Sequence, residues 1–474
     1  MADILSVGID IGTSTTQVVF SRLLLENTGG YFSVPRVSIV DKQILYKSRV
    51  HLTPLTGESR IDADRVRELV AAEYRKAGFS PGDTGSGAVI ITGESARKDN
   101  SDAVLKSLSD FAGDFVVSAA GPDMESVIAG KGSGAYEYSI REHCRTANLD
   151  IGGGTTNVAV FDDGRVAAKG CLDIGGRLIR IAPDMTVTKA SPAAVRAAAD
   201  AGVDLYTGMT ASRSVLERIT GRMADVLTGF LDGRKSLLAD ALKTPGSSDF
   251  DPGGGIDAVC FSGGVADGVY HPKEDLFRFG DIGILLGRAV AASPLMRRYS
   301  VIEAGETIHA TVVGAGTYTT TVSGSTITYT RDIFPLKNIP VLKLNGEEEA
   351  ACFAGDCGTV EDKIRWFMGQ NDAPLIITAM DGPRNPSYTQ IRAAAGCLGA
   401  AMDRCFEAGL PLILVTERDI AKAVGQTMHR MLGGRRQVVA IDGVRAEDGD
   451  YVDMGRPVMD GMVIPVVVKT LIFG

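Results

Sequence analysis

Apolar residues in this chain fall in short blocks, and the period of the blocks shifts from two to three-and-a-half along its length. "VGIDIGTSTTQVVF" (Val7 to Phe20) is apolar, then small and hydroxylated, then apolar again, which predicts a strand–turn–strand hairpin. "RVSIV", "QILYKSRV" and "GAVIITG" predict further strands by their β-branched alternation. Between the last two, "DADRVRELVAAEYRKAG" has the spacing of an amphipathic helix with Gly78 as its stop. "DAVLKSLSDFAGD" predicts a short helix, "FVVSAAG" a strand, and "DMESVIAGKGSGA" a helix that runs out into glycine.

A second hairpin, "LDIGGGTTNVAVF" (Leu149 to Phe161), repeats the shape of the first, and "RVAAKGCLDIGGRLI" follows it. Ser191 followed by Pro192 predicts an N-cap and first helical residue. Val215, Leu216, Ile219, Met223, Val226, Leu227, Phe230 and Leu231 share one helical face. "KTPGSSDFDPGGG" is the most flexible-looking stretch mid-chain; it leads into the strand and double glycine of "IDAVCFSGGVADG" and the apolar helix "DIGILLGRAVAAS". From about residue 301 the texture changes. "TVVGAGTYTTTVSGSTITYT" reads as β-rich, and the strands and helices that alternate from "APLIITAM" to "RQVVAIDGV" predict a further α/β unit. "MVIPVVVKTLIFG" predicts a final strand tied into a sheet.

Length and charge narrow the picture. A chain of 474 residues exceeds one hydrophobic core, so two or three domains are expected. Hydrophobic content of 45% and charged content of 23% are those of a soluble globular protein. The net charge of −9 argues against a broad nucleic-acid surface. No stretch approaches the roughly 20 apolar residues of a membrane span, and "MADILSVGID" lacks the basic region of a secretory signal. Seven scattered cysteines predict reduced, buried thiols in a cytoplasmic protein, and five histidines make a zinc site improbable.

The repeat carries the candidate chemistry. Aligning Asp10 with Asp150 also matches Ile11 with Ile151, Gly12 with Gly152, Thr15 with Thr155, Thr16 with Thr156 and Val18 with Val158, 140 residues apart. A Gly/Ser/Thr turn lets backbone N–H groups converge on an anion, and hydroxyls add donors. A carboxylate at the strand end would repel phosphate unless a cation lay between them, which suits Mg²⁺. Two such hairpins facing each other would grip a polyphosphate from both sides. A single copy is well explained as an ordinary hairpin turn; the doubled, Asp-led motif favours a nucleotide clamp. "FSGGVAD" (Phe261 to Asp267) supplies tight glycines against which a ring or sugar could lie; taken alone it is better explained as a helix-capping turn, and it gains weight from falling about a hundred residues after the second hairpin.

These three pieces, in this order, resemble the phosphate-1, phosphate-2 and adenosine motifs of the actin, Hsp70 and sugar-kinase ATPase superfamily over roughly residues 4 to 292. "SAAGPDMESVIAGKGSGA" and "DIGILLGRAVAAS" fall where that superfamily has its two connecting helices. The implied fold class is α/β: two ribonuclease-H-like lobes at 1–147 and 148–300, with an additional C-terminal α/β unit at 301–474 that either binds a partner or completes the first lobe. With "NLDIGGGTTNVAVF" and the ending "DMGRPVMDGMVIPVVVKTLIFG", nearly the whole chain resembles the reactivating factors of ethanolamine ammonia-lyase.

That resemblance implies a chaperone-like partner of ethanolamine ammonia-lyase that uses ATP and Mg²⁺ to expel damaged cobalamin, so that intact adenosylcobalamin can bind. It implies a cytoplasmic protein, with a bacterial microcompartment as a setting its pathway admits. Carried across, Asp10 and Asp150 become water-mediated Mg²⁺ partners. Gly12, Thr13, Ser14 and Thr15 would hold phosphates from the first lobe, Gly152, Gly153, Gly154 and Thr155 from the second, and Gly263 and Gly264 would face the adenosine. "DIGGR" (Asp173 to Arg177) resembles the Gly-Gly turn that follows the second phosphate motif.

One departure stands out. Where Hsp70 proteins carry a Glu-Pro pair that orients the attacking water, this chain has Gly121-Pro122, leaving Asp123 or Glu125 as substitutes and predicting slow, switch-like ATP turnover. Glu94, Arg97 and Lys98 of "TGESARKDN" are further cleft candidates, or a solvated loop. The rival readings of the same clamp are a small-molecule kinase or amidohydrolase and an actin-like polymer.

Overall fold

The computed structural model describes residues 2–12, 15–28, 37–56, 60–92, 100, 104, 107–108, 111, 121–271, 273–318, 321–324, 326–371 and 373–470. Thr13, Ser14, Glu94, Arg97 and Lys98, most of the helix predicted over 102–114, and all but Gly121 of the strand predicted over 115–121 lie outside the described residues.

Two sheets share one strand order. In the first, Val37–Lys47, Thr15–Asn27 and Ala2–Ile11 form an antiparallel meander, and Ser86–Ile91 adds in parallel beside Ala2–Ile11. In the second, Arg165–Leu172, Thr156–Asp162 and Arg145–Ile151 repeat the meander, and Ala258–Ser262 and then Ser300–Ile302 add in parallel. Val37–Lys47, predicted as two strands within "RVSIV" and "QILYKSRV", is one continuous strand; Arg36 lies outside the described residues. The parallel fourth strand in each sheet is buried along its length, which is why "GAVII" and "AVCFS" read as unbroken apolar runs.

Helices form where caps and periodicity place them. Asp62 accepts from the Arg65 N–H at the start of Ala63–Ala77, and Gly78 closes that helix at φ +79°. Ser191 caps Pro192–Asp200. The face of Arg213–Leu231 holding Leu216, Ile219, Met223 and Leu227 enters the second lobe's core.

The helices Pro122–Gly132 and Ala310–Tyr318 cross between the two sheets. Their crossing depends on glycine: a Cβ on Gly132 would lie 1.8 Å from the Ala310 carbonyl oxygen, and one on Gly314 would lie 2.0 Å from that of Ile128. Ala310–Tyr318 also lies on the first sheet, where a Cβ on Gly8 would come within 2.2 Å of the Val312 carbonyl oxygen. This corrects the β-rich reading of residues 311–330, whose first part is a helix followed by the two-residue strands Thr321–Val322 and Thr328–Tyr329. Its Thr and Val residues suggested a strand, but burial between two packed layers decided the outcome.

The C-terminal unit is an eight-stranded sheet. Leu336–Lys343, Ile377–Met380, Leu412–Thr416 and Val438–Ile441 run parallel at its centre, and Asp450–Met454 and Pro465–Thr470 extend it antiparallel. Helices Gly346–Ala354, Tyr388–Cys405 and Ala421–Met431 contribute to a single apolar cluster with these strands.

Two further expectations are corrected. Cys357 and Cys397 form a disulfide, so two of the cysteines are not reduced thiols; Cys144, Cys171, Cys260, Cys352 and Cys405 are free. The partners lie 40 residues apart with no paired spacing to announce them. The loop "KTPGSSDFDPGGG", flexible by composition, is packed: Phe250 stacks on Phe230 at 4.5 Å, and the Ser247 hydroxyl accepts from the Cys171 N–H at 2.8 Å.

Candidate functional site

The two hairpins are superposable in register. Asp10 is the penultimate residue of its strand and pairs with Gln17; Asp150 is the penultimate residue of its strand and pairs with Asn157. Each turn closes the same way, with the Gly12 N–H donating to the Thr15 carbonyl at 2.8 Å and the Gly152 N–H to the Thr155 carbonyl at 2.9 Å. Residues directly opposite in an antiparallel pair share a face, so each carboxylate has an amide side chain beside it.

Both acids are buried, at 8% and 5% exposure. Burial pushes Asp10 up to about 7; the Thr92 hydroxyl partly offsets this, and the charge of Asp150 raises it further. Asp150 is likewise raised by burial, against hydrogen bonds from Ser262, Asn157 and Thr311. The charge of Asp150 therefore reaches Asp10 across the site.

The glycines divide by role. Gly263, at φ +85°, has its Cα so near the end of the Asp150 strand that a Cβ would lie 2.4 Å from the Ile151 carbonyl oxygen. The "DIGGR" turn packs under the second hairpin, where the Gly176 N–H donates to the Gly152 carbonyl at 3.0 Å and the Arg177 N–H to that of Gly153 at 2.7 Å. Gly154 and Gly264 have open space where a Cβ would stand, leaving their main chain approachable. On the first lobe the Thr53 hydroxyl donates to the Gly12 carbonyl at 2.8 Å, so a residue from a neighbouring loop braces that turn.

Asp123 and Glu125 are both buried in the first turns of Pro122–Gly132. Asp123 accepts from both the N–H and the hydroxyl of Ser248, with Lys169 at 3.6 Å. Glu125 acts electrostatically on Cys171, whose thiol is raised first by burial and exchanges hydrogen bonds with Thr244 and Thr155. Glu125 thus belongs to the neighbourhood of the second hairpin, and Asp123 is committed to the 243–255 loop.

Residues that fit a hydrated Mg²⁺ are present. Gln17 Oε1 and Asn157 Oδ1 are buried acceptors without a partner among the described residues, and each residue sits opposite one of the two acids. Ion-bound water is a donor, which is what these two amide oxygens lack. Among the described residues no group of three or more His, Cys, Asp or Glu side chains converges.

Thr92, Ser262, Gln17 and Asn157 were missed in the sequence. The signals were there: "VVF" and "VAVF" follow Gln17 and Asn157 in both hairpins, and Thr92 and Ser262 each end an apolar run just before a glycine.

The raised Asp10 has a consequence for stability. Between about pH 4 and 7 the native protein holds a proton on Asp10 that the unfolded chain has released, so stability from this group falls as pH rises through that window. The melting temperature of nucleotide-free protein should decline across it, and Asp10→Asn should flatten the decline. A variant profile as steep as that of the wild type would contradict the assignment.

The paired meanders, each with a parallel fourth strand, define a protein of the actin, Hsp70 and sugar-kinase fold class, with two ribonuclease-H-like lobes. Within that class, the chain belongs to the EutA family: the family model described as "Ethanolamine utilisation protein EutA" matches residues 2–474. The chain is similar to the ethanolamine ammonia-lyase reactivase EutA of Salmonella typhimurium, with 36% identity over 476 residues, 99% of this chain and 98% of that protein. Similarity to the reactivase EutA of Escherichia coli is the same 36%, over 473 residues, again 99% and 98% of the two chains. Among solved structures, the Aquifex aeolicus PPX-GPPA enzyme aligns at 14% identity and a TM-score of 0.41, covering 66% of this chain and 99% of its own. Among the described residues no helix is long and apolar enough to cross a membrane.

Proposed function

We propose that this protein reactivates ethanolamine ammonia-lyase, with ATP and Mg²⁺ bound between its two lobes, by promoting exchange of damaged cobalamin for intact adenosylcobalamin. The observation that carries the nucleotide part is the identical register of Asp10–Gln17 and Asp150–Asn157, two buried acids each opposite an amide whose oxygen has no partner among the described residues. Membership of the EutA family over nearly the whole chain favours this reading over a kinase, an amidohydrolase or a polymer.

Bound ATP–Mg²⁺ would supply the free-energy difference between open and closed lobes. Asp10 and Asp150 would accept from the ion's waters. Main-chain N–H groups and hydroxyls of Gly12, Thr13, Ser14, Thr15, Gly152, Gly153, Gly154 and Thr155 would hold phosphate oxygens, and Gly263 and Gly264 would face the adenosine. Glu125 orients the attacking water; Asp123 is disfavoured for that role because Ser248 occupies its carboxylate. Gly121-Pro122 in place of a Glu-Pro pair gives slow turnover, suited to a switch in which Pro122–Gly132 and Ala310–Tyr318 carry the lobe rotation. The C-terminal unit contacts the lyase, in the cytoplasm or within a bacterial microcompartment.

The test incubates cyanocobalamin-blocked ethanolamine ammonia-lyase with this protein, ATP, Mg²⁺ and fresh adenosylcobalamin. Lyase activity should return and should fail to return when ATP is omitted. Recovery that is independent of ATP, or no recovery, would overturn the reading.

A further inference from the structure

The last residue or next residue of the fourth strand in each lobe carries a hydroxyl, and each hydroxyl is spent on the acid of the same lobe. The Thr92 hydroxyl donates to Asp10 Oδ1 at 2.9 Å, and the Ser262 hydroxyl donates to Asp150 Oδ1 at 2.6 Å. Thr92 follows Ser86–Ile91, two residues beyond Ile90, the partner of Asp10, whereas Ser262 ends Ala258–Ser262 directly opposite Asp150; both hydroxyls come from the C-terminal end of the fourth strand, two register positions apart. Both are nearly or fully buried, at 5% and 0% exposure.

The direction of the second bond is fixed by its surroundings. Asn148 Nδ2 donates to the Ser262 oxygen at 3.0 Å, and the hydroxyl has one proton, which then goes to Asp150. Thr92 is held from behind in a similar way, its N–H donating to the Ile11 carbonyl at 3.1 Å. Neither hydroxyl is needed to close a strand or cap a helix. A buried carboxylate with two rotamers available gains a single orientation from such a donor.

We propose that Thr92 and Ser262 are positioning residues for the cation-binding pair, holding Asp10 and Asp150 in the orientation in which both face the ion's waters. Ser262 also precedes Gly263, so it links the acid of the second lobe to the turn assigned to the adenosine, whereas Thr92 serves the phosphate side alone. The inference rests on the nucleotide reading above and adds the residues that aim its acids.

The probe is ADP, its affinity measured by equilibrium dialysis with Mg²⁺ and again with a chelator, on the full chain. Wild-type protein should bind ADP more tightly with Mg²⁺. Thr92→Val keeps shape and removes the donor; it should weaken binding with Mg²⁺ about ten-fold while leaving Mg²⁺-free binding within about two-fold, and Ser262→Ala should do the same. Thr92→Ser should restore the Mg²⁺-dependent gain. Should Thr92→Val fail to fold, Ser262→Ala and Thr92→Ser still decide the matter, since they introduce no added bulk. Unchanged Mg²⁺-dependence in these variants, or an equal loss with and without Mg²⁺, overturns the positioning role alone. Wild-type protein without measurable ADP binding overturns both this role and the nucleotide reading.

Discussion

Asp10→Asn and Asp150→Asn, made singly, should each reduce ATP-dependent recovery of blocked lyase by about 100-fold or more while leaving the protein folded. The size follows from removing one of two charges set in a water-poor site to hold a cation, where an interaction is worth far more than in bulk water. The direction of the stability change makes the prediction sharper. Burial and the opposing acid hold Asp10 above its ordinary range, so the ionised side chain at neutral pH is a cost to the nucleotide-free fold. Asn keeps the shape and removes that cost, so Asp10→Asn should melt at a higher temperature than the wild type while losing function. A site acid held against its own stability is the pattern expected where binding, not folding, fixes the residue. Recovery assays and thermal melts on one preparation check both halves; an active Asn variant would remove Asp10 from the site.

Gly132→Val and Gly314→Val should be the most damaging single changes outside the cleft. A Cβ at either position lands within 2.0 Å or less of a main-chain carbonyl oxygen on the crossing helix, and backbone cannot move aside as a flexible side chain can. Forcing the helices apart would open the layer formed by Ala88, Ile90, Ile128 and Ala315, at a cost of about 3 kcal/mol or more. Gly221→Ala provides the control. Gly221 is inside the helix Arg213–Leu231 with nothing within 4 Å of a Cβ, so alanine should stabilise by about 0.5–1 kcal/mol through helix propensity. Melting temperatures that order the three differently would show that the crossing is looser than the glycine contacts require.

The doubled hairpin was legible in the sequence because its function demands residue types that also leave a pattern: Asp at a strand end, a small turn, then alternation. The same holds for the helix ending at Gly78 and for Ser191-Pro192, where local chemistry alone sets the boundary. Ala310–Tyr318 was not legible. Its composition favours extended backbone, and only the close approach of Gly8, Gly132 and Gly314 from elsewhere in the chain makes a helix the better solution there. The braces of the site were hidden for a related reason. Thr92 lies 82 residues from Asp10 and Ser262 lies 112 from Asp150, and only parallel pairing of the first and fourth strands brings them together. Asp123 shows the converse case. It looked like a water-orienting acid by its place in the sequence, yet Ser248, 125 residues away in a loop that composition marks as mobile, occupies it.

Titration calorimetry of ATP into the wild-type chain, with Mg²⁺ and then with the metal chelated, tests the clamp most directly. Saturable heat with Mg²⁺ that collapses on chelation is the predicted outcome. An absence of heat with adenine nucleotides under both conditions would contradict it.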